Sequence, residues 1–414
     1  MINDMKQTYR HIMTRHSNRH RSWLLLPLLL LCLTACSSSD EDQTTPGGGQ
    51  DKTATQLYIY VHAPQTAVPT RAYEGDVDPI NNEATVYSLQ IWVFTHDSNK
   101  LIGYFSPTET TALNKPSGYE VLQLTIDEEY VQTAEASREH VDVYVLANVK
   151  EENCHLTLDH MTTREELEAA VLANGTTGDA FGLNAPVTTV PENLGLPMSG
   201  VLRDQVVTGT APVLRLGDGE DIASVSLIRT ISKLRFAFAN QTDNEPLVIN
   251  SIKLNSTMIP EEQYLFMANN APYNKLTCHI KTESGYNTTT PELLAAKIND
   301  VPEIEQPVIY AWGNEELAPQ AYEQMLDEAA AAGNLTQRMY FLRESDKQLQ
   351  GEIKYQLGDG EEQTATFQMV DEGGFSRNHI WTVYAYQAQA RLHVVVVDIA
   401  PWKTTEMDYE FYNW

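Results

Sequence analysis

Two short stretches hold the side chains whose type and position suggest chemistry. The first is Leu33-Thr34-Ala35-Cys36, a cysteine closing an apolar run from Trp23 to Leu33 that only Pro27 interrupts. The second is Pro69-Thr70-Arg71-Ala72, a polar, proline-marked stretch expected at the surface. An arginine exposed there offers the Arg71–Ala72 bond to an Arg-specific protease; the other reading is an uncut linker residue. No catalytic pattern joins them. The chain has no His-Glu-x-x-His, no Gly-x-Ser-x-Gly, no phosphate loop and no Cys-x-x-Cys. Gly217–Asp221 and Gly358–Glu362 lack the alternating ligands and closing glutamate of a calcium loop and read as turns. The histidines fall at no ligand spacing. The sequence therefore predicts no catalytic residue, no metal site and no cofactor, and the chain does not read as an enzyme.

The elements around Cys36 give it a setting. Arg10, Arg15, Arg19 and Arg21 precede the apolar run. The run is shorter than the ~20 apolar residues that span a bilayer, so residues 1–35 read as a secretory signal outside the fold. Leu33-Thr34-Ala35-Cys36 resembles the lipobox of bacterial lipoproteins. That resemblance implies cleavage before Cys36, a lipid on its sulfur and mooring to the outer membrane. Ser37-Ser38-Ser39-Asp40-Glu41-Asp42 and Thr44-Thr45-Pro46-Gly47-Gly48-Gly49 follow as a polar, flexible tether. The acidic cluster looks like the surface-export signal of Bacteroidota lipoproteins, and equally like a solvated linker.

Composition narrows the partners. The 414 residues carry 28 Lys+Arg against 56 Asp+Glu, a net charge of −28. The segment before Ala72 is slightly basic, so the body is more acidic still. Such a surface argues against nucleic acid and against direct contact with anionic membrane. Of the 4 cysteines, Cys36, Cys154 and Cys278 follow the signal. Cys154 and Cys278 read as two buried free thiols, with pairing left open because sequence does not set their separation.

Most of the body reads as strands, rich in Val, Ile, Tyr and Thr. Thr55–Val61 leads, with Leu57, Ile59 and Val61 on one face and Tyr58 and Tyr60 on the other. Strands are predicted at Val86–Phe94, Tyr119–Ile126, Val141–Val149, Gly200–Val207, Ala223–Ala239, Leu247–Leu254, Gln306–Trp312, Arg338–Leu342, Gly351–Leu357, Thr364–Val370, His379–Ala388 and Arg391–Ile399. Helices are predicted over Thr163–Asn174, with Thr163 and Glu166 as a capping box, and around Pro319–Ala332. Many short strands with turn-rich connections predict an all-β fold of packed antiparallel sheets with short helical insertions. Arg229 and Lys233 share a strand face and are expected on its solvated side. A junction is expected near Gly217–Asp221. It divides residues 36–71 (tether and first strand), 72–221 (first β-sandwich domain) and 222–414 (second β-sandwich domain, with a tail at 403–414).

Taken in order, several stretches resemble the fimbrillins of Bacteroidota, the subunits of type V pili. They are the lipobox, the first strand and Arg71; then Ser88–Phe94, Val143–Asn148, Leu196-Pro197-Met198-Ser199-Gly200, Val225–Leu234, Arg377–Tyr384, and Val394–Val397 running to Pro401-Trp402. The resemblance implies two transthyretin-like β-sandwich domains and a structural, adhesive role in a fimbrium. It implies that the cut at Arg71 frees the first strand, and that another pilin subunit fills the gap with a donated strand. Met407, Tyr409 and Phe411 alternate with Asp408 and Glu410, which suits a donor; the tail reads equally as a last edge strand of its own sheet. Shaft, tip and anchor roles stay open, as does a host or bacterial surface ligand. A second reading is a monomeric surface lipoprotein that binds glycan, with Trp312 or Trp402 stacking on sugar. Core packing is the expected role of both tryptophans.

Overall fold

The computed structural model of the chain describes residues 54–62, 83, 85–106, 119–172, 190, 194–218, 223–240, 245–268, 278–289, 292–303, 326–368, 374–388 and 390–401. All of them lie in one compact unit, Thr53–Trp414. The strands of the first half are β1 (Gln56–His62), β2 (Leu89–Thr95), β3 (Leu101–Phe105), β4 (Tyr119–Thr125), β5 (Val141–Ala147), β6 (Val171–Leu172), β7 (Met198–Gln205), β8 (Val207–Thr210), β9 (Val213–Leu216), β10 (Ser224–Ser226) and β11 (Ile228–Arg229). Those of the second half are β12 (Ile231–Asn240), β13 (Leu247–Leu254), β14 (Gln263–Tyr264), β15 (Thr336–Arg343), β16 (Gln350–Leu357), β17 (Gln363–Gln368), β18 (His379–Ala388) and β19 (Arg391–Pro401). Short helices α1 (Glu128–Gln132), α2 (Glu151–Cys154) and α3 (Arg164–Ala169) interrupt the first half, and residues 326–331 are helical. No described helix is long and apolar enough to cross a membrane.

The fold is all-β, as the strand pattern predicts. Sheet I holds β10, β1, β9 and β8, with β4 on the other side of β1. Sheet II runs β11-β7-β5-β2-β3, sheet III β15-β12-β18-β19 and sheet IV β13-β16-β17. Most pairings are antiparallel; β1 with β9, β1 with β10, and β12 with β18 are parallel.

Burial periodicity shows how the layers stack. In β16 every second residue is buried, the mark of a sheet covered on one face. Every residue of β5 and β12 is buried, so both faces of sheets II and III are covered. Leu89, Ile91, Val93, Val143 and Val145 join the core shared with sheet I. Trp92, Phe94, Tyr144 and Leu146 point the other way, into a core with Ile231, Phe341, Ile380 and Tyr384 of sheet III. Leu234, Phe236, Phe238, Trp381 and Val383, on the far face of sheet III, pack with Ile249, Ile252 and Ile353 of sheet IV.

Three local expectations are corrected. The helix predicted over Thr163–Asn174 begins as expected: Thr163 Oγ1 accepts from the Glu166 amide at 3.2 Å, and Glu166 Oε2 accepts from the Thr163 amide at 2.8 Å. It stops at Ala169, and Val171-Leu172 pair with Gln263-Tyr264 instead; tertiary pairing overrides a helical pattern one turn long. The strand predicted at Ala223–Ala239 is three strands in two sandwiches, β10 and β11 pairing with β1 and β7 and β12 entering sheet III. Arg229 and Lys233 are buried, at 0% and 2% exposure, not solvated. Arg229 ends β11 in sheet II and Lys233 lies in β12 of sheet III, and both meet Glu83 in the interior rather than water.

Candidate functional site

The first described strand, β1, is an interior strand. Along one edge β1 pairs antiparallel with β4 over its whole length, from Gln56 opposite Thr125 to His62 opposite Tyr119. Along the other edge β9 and β10 stand end to end. Gln56–Tyr58 run parallel to Val213–Arg215, and Tyr60–His62 run parallel to Ser224–Ser226. The Gln56 amide also donates to Pro212 O at 3.0 Å, and Ile126 N to Thr55 O at 3.1 Å. Alternating β-branched and aromatic residues favour the extended form. Their period places Leu57, Ile59 and Val61 inward at 1%, 0% and 5% exposure, with Tyr58 and Tyr60 half-buried on the outer face.

Without β1 its neighbours would frame a slot two strand spacings wide. Leu122 and Leu124 stand on one wall, Leu214, Leu216 and Val225 on the other, and Val143 of sheet II is in the same core. Gly200 in β7 lets the β10 wall come close. A Cβ there would stand 2.6 Å from Val225 Cγ1 and 2.8 Å from Ser226 O, which gives the Leu196–Gly200 motif a physical reason.

A buried polar seam joins the second sandwich to the first. Lys233 Nζ lies 2.9 Å from Glu83 Oε1, with both side chains almost wholly buried. Arg229 Nε donates to Glu83 O at 3.0 Å. Farther along, Arg377 pairs with Glu344, both at 0% exposure. Glu344 Oε2 accepts from Arg377 N at 3.1 Å, and its Oε1 from His279 N at 2.9 Å. Arg377 Nη1 donates to Leu265 O at 2.8 Å, the carbonyl that Ser199 Oγ of β7 also reaches, at 2.6 Å. Arg377-Asn378 was legible only as a motif; Glu83, Gln263 and Glu344 carry no sequence signal, because their partners are remote in the chain.

A second constellation fastens the end of sheet II. Asp142, wholly buried, accepts through Oδ1 from His96 Nδ1 at 2.7 Å and the Asp204 amide at 2.8 Å, and its Oδ2 forms an ion pair with Arg164 Nη1 at 2.8 Å. The hydrogen bond to Asp142 raises the His96 pKa against the opposing effect of desolvation. Its neighbour Asp204 is held below the ordinary carboxylate range by its bond to His140. Ser98 Oγ lies 2.6 Å from Thr95 Oγ1 and 2.8 Å from Glu139 Oε2, bonds that close the β2–β3 turn.

No protein-family model matches the sequence, and no curated protein matches it. Solved structures do resemble the fold. The tip fimbrial protein Mfa3 from Porphyromonas gingivalis, in a form truncated at its C-terminus, superposes with a TM-score of 0.45 at 12% identity, over 84% of this chain and 100% of that one. A fimbrial assembly protein from Parabacteroides distasonis gives 0.42 at 12% identity, over 84% and 96% of the two chains.

Cys36, Arg71, Ala72, Met407, Tyr409 and Phe411 lie outside the described residues, as do Trp312, Trp402 and the strand predicted at Gln306–Trp312. Cys154 is buried and Cys278 half-buried, both as free thiols. Burial pushes the Cys154 thiol up to about 11 and the Cys278 thiol to about 12.

Proposed function

We propose that this chain is a structural and adhesive subunit of a surface fimbria. In this reading it is exported as a lipoprotein through Cys36, cut after Arg71 and joined to other subunits by strand exchange at the position of β1. The observation that carries the reading is that β1, the first described strand, lies inside a sheet. Once the chain is cut between β1 and β2, such a strand can be withdrawn without threading the rest of the fold. What it leaves is an unpaired edge on each side and an apolar floor, the template that a strand from another subunit completes. Fully burying a side chain such as Leu57, Ile59 or Val61 contributes ~1.5–3 kcal/mol, so the three together contribute roughly 5–9 kcal/mol. A replacement strand must offer apolar residues at the same alternate spacing, as Met407, Tyr409 and Phe411 do in sequence. A head-to-tail contact of this kind extends without closing and builds a filament.

The test is limited digestion of the full chain in detergent with an Arg-specific protease, followed by mass spectrometry and size-exclusion chromatography. A single cut after Arg71, replacement of the preceding strand and growth of oligomers support the proposal. A stable monomer with Arg71 intact would sink it and favour a surface binding protein.

A further inference from the structure

The stretch between β1 and β2 is anchored at both ends, and neither anchor depends on its covalent continuity. On one side β1 is held along both edges, its last residue His62 opposite Ser226. On the other side Glu83 is locked into the protein: its carboxylate meets Lys233 Nζ at 2.9 Å and its carbonyl accepts from Arg229 Nε at 3.0 Å. Lys233 belongs to β12, which pairs with both β15 and β18 inside sheet III. Ser226 and Arg229 stand three positions apart on the same run of chain, so one segment grips both ends of the intervening stretch.

We propose that cutting between His62 and Glu83 does not open the slot. The cut chain keeps β1 seated as a non-covalent plug until a strand from a second copy displaces it, while the Glu83 lock keeps the body side in place. This rests on the reading of β1 as an exchangeable strand. Hydrolysis of the Arg71–Ala72 bond consumes one water and leaves a carboxylate on Arg71 and an amine on Ala72. It breaks no ladder hydrogen bond of β1 and exposes none of Leu57, Ile59 or Val61. Cutting and exchange are therefore separate steps, the first controlled by the protease and the second by a competing strand. The arrangement keeps two bare sheet edges and an apolar floor from standing open to indiscriminate pairing.

The test places a recognition sequence for a sequence-specific endoprotease within residues 63–82 of the full chain in detergent. After complete cutting, the two pieces are run on size-exclusion chromatography in native buffer, then in urea, and after adding excess labelled synthetic peptide spanning Gln56–His62. The expected result is one-to-one co-elution in native buffer, separation in urea, and slow uptake of the labelled peptide by the body. Separation in native buffer as soon as the bond is cut overturns the proposal, as does failure of the seated strand ever to be replaced. The engineered site makes this independent of Arg71: a chain that resists Arg-specific protease defeats the processing reading, while retention of β1 is still read here. An Ile59→Asp variant, checked for folding before the cut by circular dichroism, should lose its fragment faster than the parent; equal retention counts against β1 as a packed plug.

Discussion

Truncating Ile59 to alanine tests whether β1 holds the first sandwich together. Ile59 is at 0% exposure and faces Leu122 across the ladder. It lies in the core shared by sheets I and II. Removing its outer carbons forfeits their transfer free energy and leaves a cavity, together ~2–5 kcal/mol for an Ile→Ala change in a packed core. A loss of ~3 kcal/mol corresponds to roughly two orders of magnitude in an opening equilibrium or in the affinity of a severed β1 fragment. Hydrogen exchange read by mass spectrometry localises the effect. Amides of β4, β9 and β10 should exchange faster by about that factor, while those of β13 and β16 in sheet IV keep their protection. Gln123→Ala, on the exposed face of β4, is the control and should stay within about 0.5 kcal/mol of the parent. Unchanged protection in β4 and β9, or equal acceleration in sheet IV, would refute the reasoning that β1 is a locally packed plug.

Three further outcomes follow from the buried groups. Glu83→Gln takes the carboxylate from the buried Lys233 ammonium and should cost ~3–5 kcal/mol in urea unfolding, most of which Glu83→Gln with Lys233→Met restores; an additive double-mutant cycle would show that the pair is not coupled. The folded His96 pKa lies above its unfolded value, so the bond to Asp142 stabilises fully below pH ~6.5 and its contribution fades as pH rises through the raised pKa. The melting temperature of the parent should therefore exceed that of His96→Gln in acid, the gap shrinking in alkali; a gap that widens with pH reverses the assignment. With thiols pushed up to about 11 and about 12, Cys154 and Cys278 hold little thiolate at pH 8, and iodoacetamide should label them far more slowly in the folded chain than in urea.

Strand positions were most legible in the longer strands whose burial alternates. Leu247–Leu254 was predicted to the residue and Gly351–Leu357 to within one, because alternation fixes both the element and its inward side. The capping box of α3 was legible because Thr163 and Glu166 are three residues apart. Its end was not, because Val171 and Leu172 answer to Gln263 and Tyr264, some ninety positions away. Strands β3, β8, β9 and β14 were missed, having too few residues to show a period.

The sequence alone determined that the chain is all-β, that its first strand has an inward face of Leu57, Ile59 and Val61, and that no known catalytic motif accompanies it. Those are local properties, set by side-chain period and short-range spacing. Only the tertiary structure decided that this strand is interior, flanked by β4 on one edge and by β9 and β10 on the other. Strand pairing between residues so remote in the chain leaves no mark in either partner. The same holds for Arg229 and Lys233: period two groups them on one face of a single strand, and only the tertiary structure places them in two sheets, both buried beside Glu83.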